Sequence, residues 1–407
     1  MKFAHLADVH LGGWREPRLR ELNTQSFCAA IERCITEKVD FVLIAGDLFN
    51  TSLPSMDALK IGVQKLKQLQ DNNIPVYLIP GSHDFSPSGK TMIDVLESAG
   101  LAVNVARGEV VGEKLKLKFT VDKKTGCKIT GLFGKKGGLE KHYYYELIKE
   151  HLEAESGPKI FMFHSPIAEL KPEELAGMDA MPISLLPAGF DYYAGGHVHV
   201  VQHEKLKDYP NVVYPGPVFP NNFAELEKLE CGTFVIWDNG AVRHEKINLK
   251  PVAKILIDAH NKTAGEADAL LEEAVDKAQL KDAIVLVRVE GTLRQGKPHD
   301  IDFNAMQQSC LNKGAFVVLK NTSKLESKEF EEIKVSRASV EDIEEALLKE
   351  HAGQLKLMPA DKEIQLAKEL MRVLSAEKDE GERIADFEKR ISSDVDRLLG
   401  LSRTDGS

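Results

Sequence analysis

Five stretches of the chain share one pattern: a short apolar run that stops at an aspartate or a histidine. They are Phe3–His10, Asp40–Asp47, Ile74–Asp84, Lys159–His164 and Phe190–His199. A run without polar interruption predicts a strand covered on both faces, and its polar end predicts side chains delivered into a cleft. Between the first three runs the period changes. Leu22, Phe27, Ile31 and Ile35 predict a helix over Leu22–Lys38, and Leu59, Val63, Leu66 and Leu69 predict one over Met56–Asn72. Thr51–Ser55 reads as a turn and helix start, and Gly89–Gly100 as a short helix ending on glycine. Residues 11–21, rich in Gly and Arg, read as a loop. Strand, helix, strand, helix, strand is the order that pairs strands in parallel through crossover helices.

Beyond about residue 101 short strands dominate: Ala102–Ala106, Val110–Val111, Leu115–Val121, Cys127–Leu132, Asn211–Tyr214 and Thr233–Trp237. They predict a second, more antiparallel sheet facing the first. At Pro251 the pattern resets. Strands Ala253–Ala259, Ala283–Val289 and Ala315–Lys320 alternate with helices Gly265–Gln279 and Phe303–Lys313. After a charged bridge, Leu325–Lys334, come two helical stretches, Val340–His351 and Asp361–Leu399, separated by Gly353 and Pro359. The second carries an apolar stripe through Leu366, Leu370, Val373, Leu374, Ile384, Phe387, Ile391, Val395 and Leu398. Such a stripe lies on a partner or on a neighbouring part of its own chain. The predicted fold class is α/β: two facing mixed β-sheets flanked by helices over 1–248, a small α+β capping domain over 251–330, and C-terminal helices over 335–401.

The length of 407 residues suggests two or three domains, and 43% hydrophobic with 29% charged residues is ordinary globular composition. No apolar run is long enough for a transmembrane helix, and a strand beginning at residue 3 leaves no room for a signal peptide. Cys28, Cys34, Cys127, Cys231 and Cys310 are scattered, odd in number and without CxxC spacing. That pattern suits a reducing cytoplasm and neither a disulfide frame nor a zinc knuckle. The net charge of −10 does not itself suggest nucleic acid. Residues 251–407 hold most of it, with 24 Lys+Arg against 31 Asp+Glu, so the front of the chain is free to carry locally basic patches.

Asp8, His10, Asp47, His164, His197 and His199 combine two carboxylates with four imidazoles, the donor set for a pair of transition-metal ions. Two ions bridged by a carboxylate can clamp the attacking and leaving oxygens of a phosphate ester, with no covalent intermediate on Ser or Cys. The same residues also have plainer uses. Asp8 could cap a helix, Asp47 could serve the turn after Gly46, His164 could bond a loop, and His197 with His199 could be a structural pair. His5, His142, His151 and His203 read as ordinary packed or surface histidines.

The ordered motifs Asp8-x-His10, Gly46-Asp47, Gly81-Ser-His-Asp84, His164 and Gly196-His-Val-His199 resemble the calcineurin-like metallophosphoesterases over about residues 1–240. Phe3–Gly12 and Val42–Phe49 are closest in wording to the nuclease subunit of the archaeal and eukaryal double-strand-break repair complex, counterpart of bacterial SbcD. The resemblance implies two manganese ions. Asp8, His10 and His199 would hold one, His164 and His197 the other, with Asp47 bridging. It casts His83 beside the scissile phosphate and Asp84 as the residue orienting it. The family usually has Asn where this chain has Ser82, which predicts a weaker second metal site with a water completing the sphere.

The activity so implied is a 3′–5′ exonuclease and endonuclease acting on DNA ends. The alternatives are a phosphatase or cyclic-nucleotide phosphodiesterase on the same core, or a DNA-end-binding scaffold with decayed catalysis. The implied partners are DNA, an SMC-like ABC ATPase on the C-terminal helices, and a second copy of the chain pairing through Pro54–Asp71 and Gly89–Glu97. The implied location is cytoplasmic and nucleoid-associated, without a membrane. Candidate DNA contacts are Arg15, Arg18, Arg20, Asn50, Lys135 and Lys136, the last two in a Gly-flanked loop where backbone N–H groups can also approach phosphate.

Overall fold

Phe41–Ala45, Val76–Ile79, Lys159–His164 and Tyr192–Gly196 are buried at every position. Covered on both faces, they behave as parallel-sheet strands do. The structure, a computed structural model, describes residues 1–86, 91–171, 177–328, 359–376 and 384–399. The five site-bearing strands are β1 (Lys2–Leu6), β2 (Phe41–Ala45), β3 (Val76–Ile79), β4 (Lys159–His164) and β5 (Tyr192–Gly196).

The first sheet runs Ala241–Ile247, Gly232–Asp238, β1, β2, β3, Val103–Asn104. From β1 onward the pairing is parallel, and Gly232–Asp238 is antiparallel to β1. The second runs Val201–Leu206, Tyr209–Pro215, β5, β4, Lys128–Gly131, Thr120–Val121. Its four central strands are parallel, and only the two edge strands pair antiparallel. The expected antiparallel character is thus confined to the rims, and the Thr233–Trp237 run belongs to the first sheet instead. The central strands are covered on both sides, by the facing sheet and by an outer layer. Phe3, Phe41, Leu43, Tyr77, Ile129, Ile160, Met162, Tyr192 and Trp237 fill the space between the sheets.

Helices α1 (Pro17–Thr36) and α2 (Met56–Asp71) cover the outer face of the first sheet through Phe27, Ile31, Leu66 and Leu69. Helix α1 begins at Pro17, so residues 17–21 are helical rather than loop. Proline suits the first helical position because its missing N–H would be unpaired there anyway. Leu19 and Leu22 then bury against Phe219, Leu226, Ile284, Leu286 and Val317. Those partners belong to the cap and its approach. The cap strands Val252–Asp258, Ile284–Leu293 and Val317–Asn321 are all parallel. Helices Ala264–Lys277 and Phe303–Asn312 cover one face of them, and the other face closes on α1. Residues 1–327 therefore pack as one unit.

In the C-terminal unit, helices Ala360–Leu374 and Ile384–Leu398 touch each other. The single helix expected over Asp361–Leu399 is two in the structure, with 377–383 outside the described residues. Val340–His351, most of the charged bridge and residues 89–90 of the expected Gly89–Gly100 helix also lie outside them. The described part of that helix is Met92–Ser98, capped by Thr91 and Asp94. No helix among the described residues is long and apolar enough to cross a membrane.

Candidate metal centre

Each candidate ligand stands at or just past the carboxyl end of a strand, and the parallel register brings those ends to one edge. Past β1 and β2 the two loops continue side by side. Asp8 N donates to Gly46 O (3.2 Å), His10 N to Asp47 O (2.9 Å) and Leu11 N to Leu48 O (3.0 Å). The other sheet joins at His164, whose Nδ1 lies 2.8 Å from Ala45 O. Gly46, at φ +87°, is required here, since a Cβ would overlap the His164 ring. Asp8, His10, Asp47, His197 and His199 all have φ between +48° and +94°. Left-handed non-glycine residues cost about 1–3 kcal/mol each, and persist only where their surroundings over-determine them.

The side chains converge. His10 Nε2 and His199 Nε2 are 3.1 Å apart, and His164 Nε2 is 3.2 Å from Asp47 Oδ2. His10 Nε2 is 3.6 Å from Asp47 Oδ2, and His199 Nε2 is 3.7 Å from Asp8 Oδ1. Three triads offer ligand atoms within 4.8 Å of one another: Asp8 with His10 and His199, His10 with Asp47 and His83, and Asp8 with Asp47 and His164. The His197 ring stands edge-on to His164 at 5.0 Å, and its backbone N–H is held by Asp8. Two imidazole nitrogens facing each other at 3.1 Å, next to two buried carboxylates, need a cation or a proton between them. This donor set fits divalent metal ions.

The charges say the same. Burial alone pushes His164 down, but the Asp47 and Asp8 carboxylates reverse this and hold it up at about 10. His199 is likewise lowered by burial and raised by Asp8 and Glu225, to about 9. Burial drives His10 and His197 down to about 3, with His164 adding to the effect at His197. Burial raises Asp8, whereas in Asp47 the neighbouring His164 and His10 overcome burial and hold the carboxyl well below the usual range. Without metal ions, imidazolium protons neutralise the two carboxylates.

The remaining candidates divide. Ser82 is buried, with its Oγ 3.4 Å from Asp47 Oδ2. His83 N donates to Asp47 Oδ1 (2.7 Å), and its Nδ1 lies 2.8 Å from Asn50 O. A carbonyl can only accept, so Nδ1 carries the proton and Nε2 is left for a ligand or substrate. Asp84 is not bonded to the His83 ring, whose Nδ1 is taken by Asn50 O. Its carboxylate accepts from Leu48 N (3.1 Å), Phe49 N (3.0 Å) and Gly81 N (3.0 Å), so what it positions is the loop that carries Asp47.

Arg15 is exposed. Arg18 instead donates to Phe316 O of the cap and stacks on that ring at 5.7 Å. Arg20 Nε donates to Trp14 O at 3.0 Å. Asn50 acts through its backbone carbonyl. Lys135 Nζ donates to Tyr143 Oη at 2.7 Å and lies over the Phe85, Phe133 and Tyr143 rings at 5.0, 5.5 and 4.6 Å. The Lys136 side chain lies outside the described atoms. Sequence reading missed Glu225, whose Oε1 is 3.0 Å from His199 Nδ1.

Residues 1–201 match the profile of the calcineurin-like phosphoesterases. The chain is 30% identical over 243 residues to the DNA double-strand break repair protein Mre11 of Archaeoglobus fulgidus, covering 56% of this chain and 52% of that protein. It is 28% identical over 276 residues to the protein of the same name from Methanocaldococcus jannaschii, covering 63% and 67%. It is 26% identical over 309 residues to the uncharacterized metallophosphoesterase YhaO of Bacillus subtilis, covering 71% of each. The chain spans about half the length of several of the archaeal relatives it matches. By that profile match, residues 1–201 make up a calcineurin-like phosphoesterase domain.

Proposed function

We propose that the protein is a metal-dependent phosphodiesterase that cleaves DNA, working at double-strand-break ends. The observation that carries this is the convergence of Asp8, His10, Asp47, His164 and His199 at one edge, with His83 fixed beside them. A divalent pair bound there would supply Lewis acidity to a phosphodiester. Asp8, His10 and His199 would hold one ion and His164 with His197 the other, with Asp47 shared. The chain's own contribution to the chemistry is His83. With Nδ1 pinned to Asn50 O, only Nε2 faces the substrate, so His83 stabilises the developing charge or passes a proton to the leaving oxygen there.

We take manganese as the ion and a DNA strand as the substrate, with both exonucleolytic and endonucleolytic cleavage. The similarity to proteins named for double-strand-break repair supports the DNA substrate. The C-terminal helices, with Met371, Leu374 and Leu399 exposed, support a docking role toward an SMC-like ABC ATPase. Exposed Leu53 and Met56 at the start of α2 support self-pairing there. The test compares linear duplex DNA with p-nitrophenyl phosphate, with and without Mn2+. Manganese-dependent DNA cleavage with little monoester hydrolysis is expected. The reverse preference would make the protein a phosphatase, and DNA binding without cleavage would make it a scaffold.

A further inference from the structure

The seven-residue helix Phe223–Leu229 touches both the metal centre and the cap. On one side, Glu225 Oε1 lies 3.0 Å from His199 Nδ1 while its Oε2 accepts from Asn221 N at 2.7 Å. The segment leading into the helix is fastened to the loop after His10, because Trp14 Nε1 donates to Pro220 O at 2.9 Å. The helix thus bears on His199, a member of one metal triad, and its lead-in is tied to the loop that follows His10, another member. On the other side, Glu227 takes a two-pronged contact from Arg288 of the central cap strand, Nε to Oε1 at 2.8 Å and Nη2 to Oε2 at 2.6 Å. The same guanidinium stacks on Phe223 at 5.2 Å, and Leu226 is buried with the cap's Ile284 and Leu286.

We infer that Glu225 is the positioning residue for His199, and that cap docking through Arg288 and Glu227 sets the affinity of the metal held by Asp8, His10 and His199. The inference rests on the metal-centre reading above. A carboxylate 3.0 Å from Nδ1 favours the proton on that nitrogen, leaves Nε2 to face inward and makes the ring a stronger donor, and it does so here as a close charge rather than through an aligned hydrogen bond. Arg288 holds the helix from which that carboxylate projects. A bidentate guanidinium–carboxylate pair constrains direction as well as distance, so a helix of two turns is held in register with the cap. Substrate or a partner that shifts the cap would then alter the occupancy of one ion and leave its neighbour, held by His164 and His197, unchanged.

The experiment is a set of Mn2+ binding isotherms on the full chain, with wild type, Arg288→Lys, Arg288→Ala, Glu225→Gln, Glu225→Ala and the double alanine variant. Wild type is expected to bind two ions. Glu225→Ala weakens one of them by roughly 10- to 100-fold, the usual cost of losing a partner behind a ligand. Glu225→Gln costs less, because its amide oxygen can stand where the carboxylate oxygen stands, 3.0 Å from Nδ1. Arg288→Ala weakens the same ion, Arg288→Lys restores part of the loss, and Arg288→Ala adds little when Glu225 is already alanine. The His199 Nδ1–H proton resonance shifts in the Glu225 variants and in Arg288→Ala.

Several outcomes overturn the inference. A folded Arg288→Ala with the wild-type isotherm removes the coupling and leaves the two-metal reading standing. So do effects of the two alanines that simply add, or an equal loss at both ions. If Arg288→Ala does not fold, Arg288→Lys and Glu227→Gln carry the same test. Wild type binding no Mn2+ removes the metal centre itself, and the coupling with it.

Discussion

The backbone N–H of His197 donates to both carboxylate oxygens of Asp8, at 2.9 and 3.1 Å. The contact joins the strand-end loops of the two sheets, and both residues sit at positive φ. Asp8 therefore has two uses, as a candidate metal ligand and as the clasp that holds His197 against His164. Asp8→Asn keeps an acceptor for the N–H but loses the charge that a cation needs. It is expected to lower kcat on bis-p-nitrophenyl phosphate by several kcal/mol of barrier, roughly 10³-fold, with little change in the fold. Circular dichroism beside steady-state kinetics checks both halves. A variant that keeps near-wild-type kcat would place the metals elsewhere.

Metal binding is expected to release protons. His164 at about 10 and His199 at about 9 are protonated at pH 7 in the metal-free protein, and a ligand ring must be neutral. Titrating Mn2+ calorimetrically in buffers of different ionisation enthalpy should show up to two protons leaving at pH 7, and fewer as pH nears 10. The metal-free fold should follow the same groups. Their folded pKa values lie above the unfolded value, so the stability they contribute is fully present below about pH 6.5 and is lost as pH rises through 9 to 10. A melting temperature for metal-free protein that is flat from pH 6.5 to 10 would contradict this.

Ser82 tests the departure from the usual asparagine. Its hydroxyl is turned toward Asp47 at 3.4 Å, and it is a shorter ligand than an amide carbonyl. Ser82→Asn is expected to tighten one of the two ions by about tenfold, within the range seen for changes around a ligand sphere. Metal content after gel filtration, measured at limiting Mn2+, checks this. Equal content in both proteins would show that position 82 contributes nothing to the site.

Much of this centre was legible in the sequence because its ligands end apolar runs, where a carboxylate or imidazole has no reason to be unless the strand opens on a cleft. The parallel crossovers were legible for the same reason. What tertiary contact alone decides was hidden. Nothing in Asn221-Asn-Phe-Ala-Glu225 marks Glu225 as the partner of His199, and no periodicity tells that Asp84 turns to three backbone N–H groups instead of to His83. Arg18 looked like a loop cation, although Pro17 at a helix start and the spacing of Leu19 and Leu22 were signals of α1 reaching further forward. The antiparallel look of residues 102–237 came from short strands and turns. Pairing direction depends on how the connections run between strands, and short runs do not reveal that.

Asp84 is expected to matter for stability first and for catalysis through Asp47. Burial and the Asp47 charge push its carboxyl up to about 6, while the Phe49, Gly81 and Leu48 N–H groups work against that rise. Asp84→Ala leaves those three donors without their partner and is expected to cost about 3 kcal/mol in urea unfolding of the metal-free protein. Because the loop it holds carries Asp47, bound Mn2+ should fall as well. An unaltered unfolding midpoint would remove the clamp role.

Lys135 separates a DNA contact from a structural cation. A loop lysine beside glycines invites the phosphate reading, which predicts weaker DNA binding and a flatter salt dependence when Lys135 and Lys136 are both replaced by alanine. The ammonium of Lys135 is already engaged, donating to Tyr143 Oη and lying over three rings, and Glu140 accepts from its backbone N–H at 3.2 Å. Glu140 in turn accepts from Ser165 Oγ at 2.8 Å, one residue beyond His164. The loop is therefore tied to the metal centre from below. A phosphate reaching Lys135 would have to compete with an aromatic box worth about 1–2 kcal/mol. Lys135→Ala alone should lower stability by about that much and leave the slope of log affinity against log salt unchanged. Any flattening in the double variant then belongs to Lys136. A slope that falls by about one unit in Lys135→Ala would reverse the assignment, because only a cation that displaces counterions from the DNA backbone produces it.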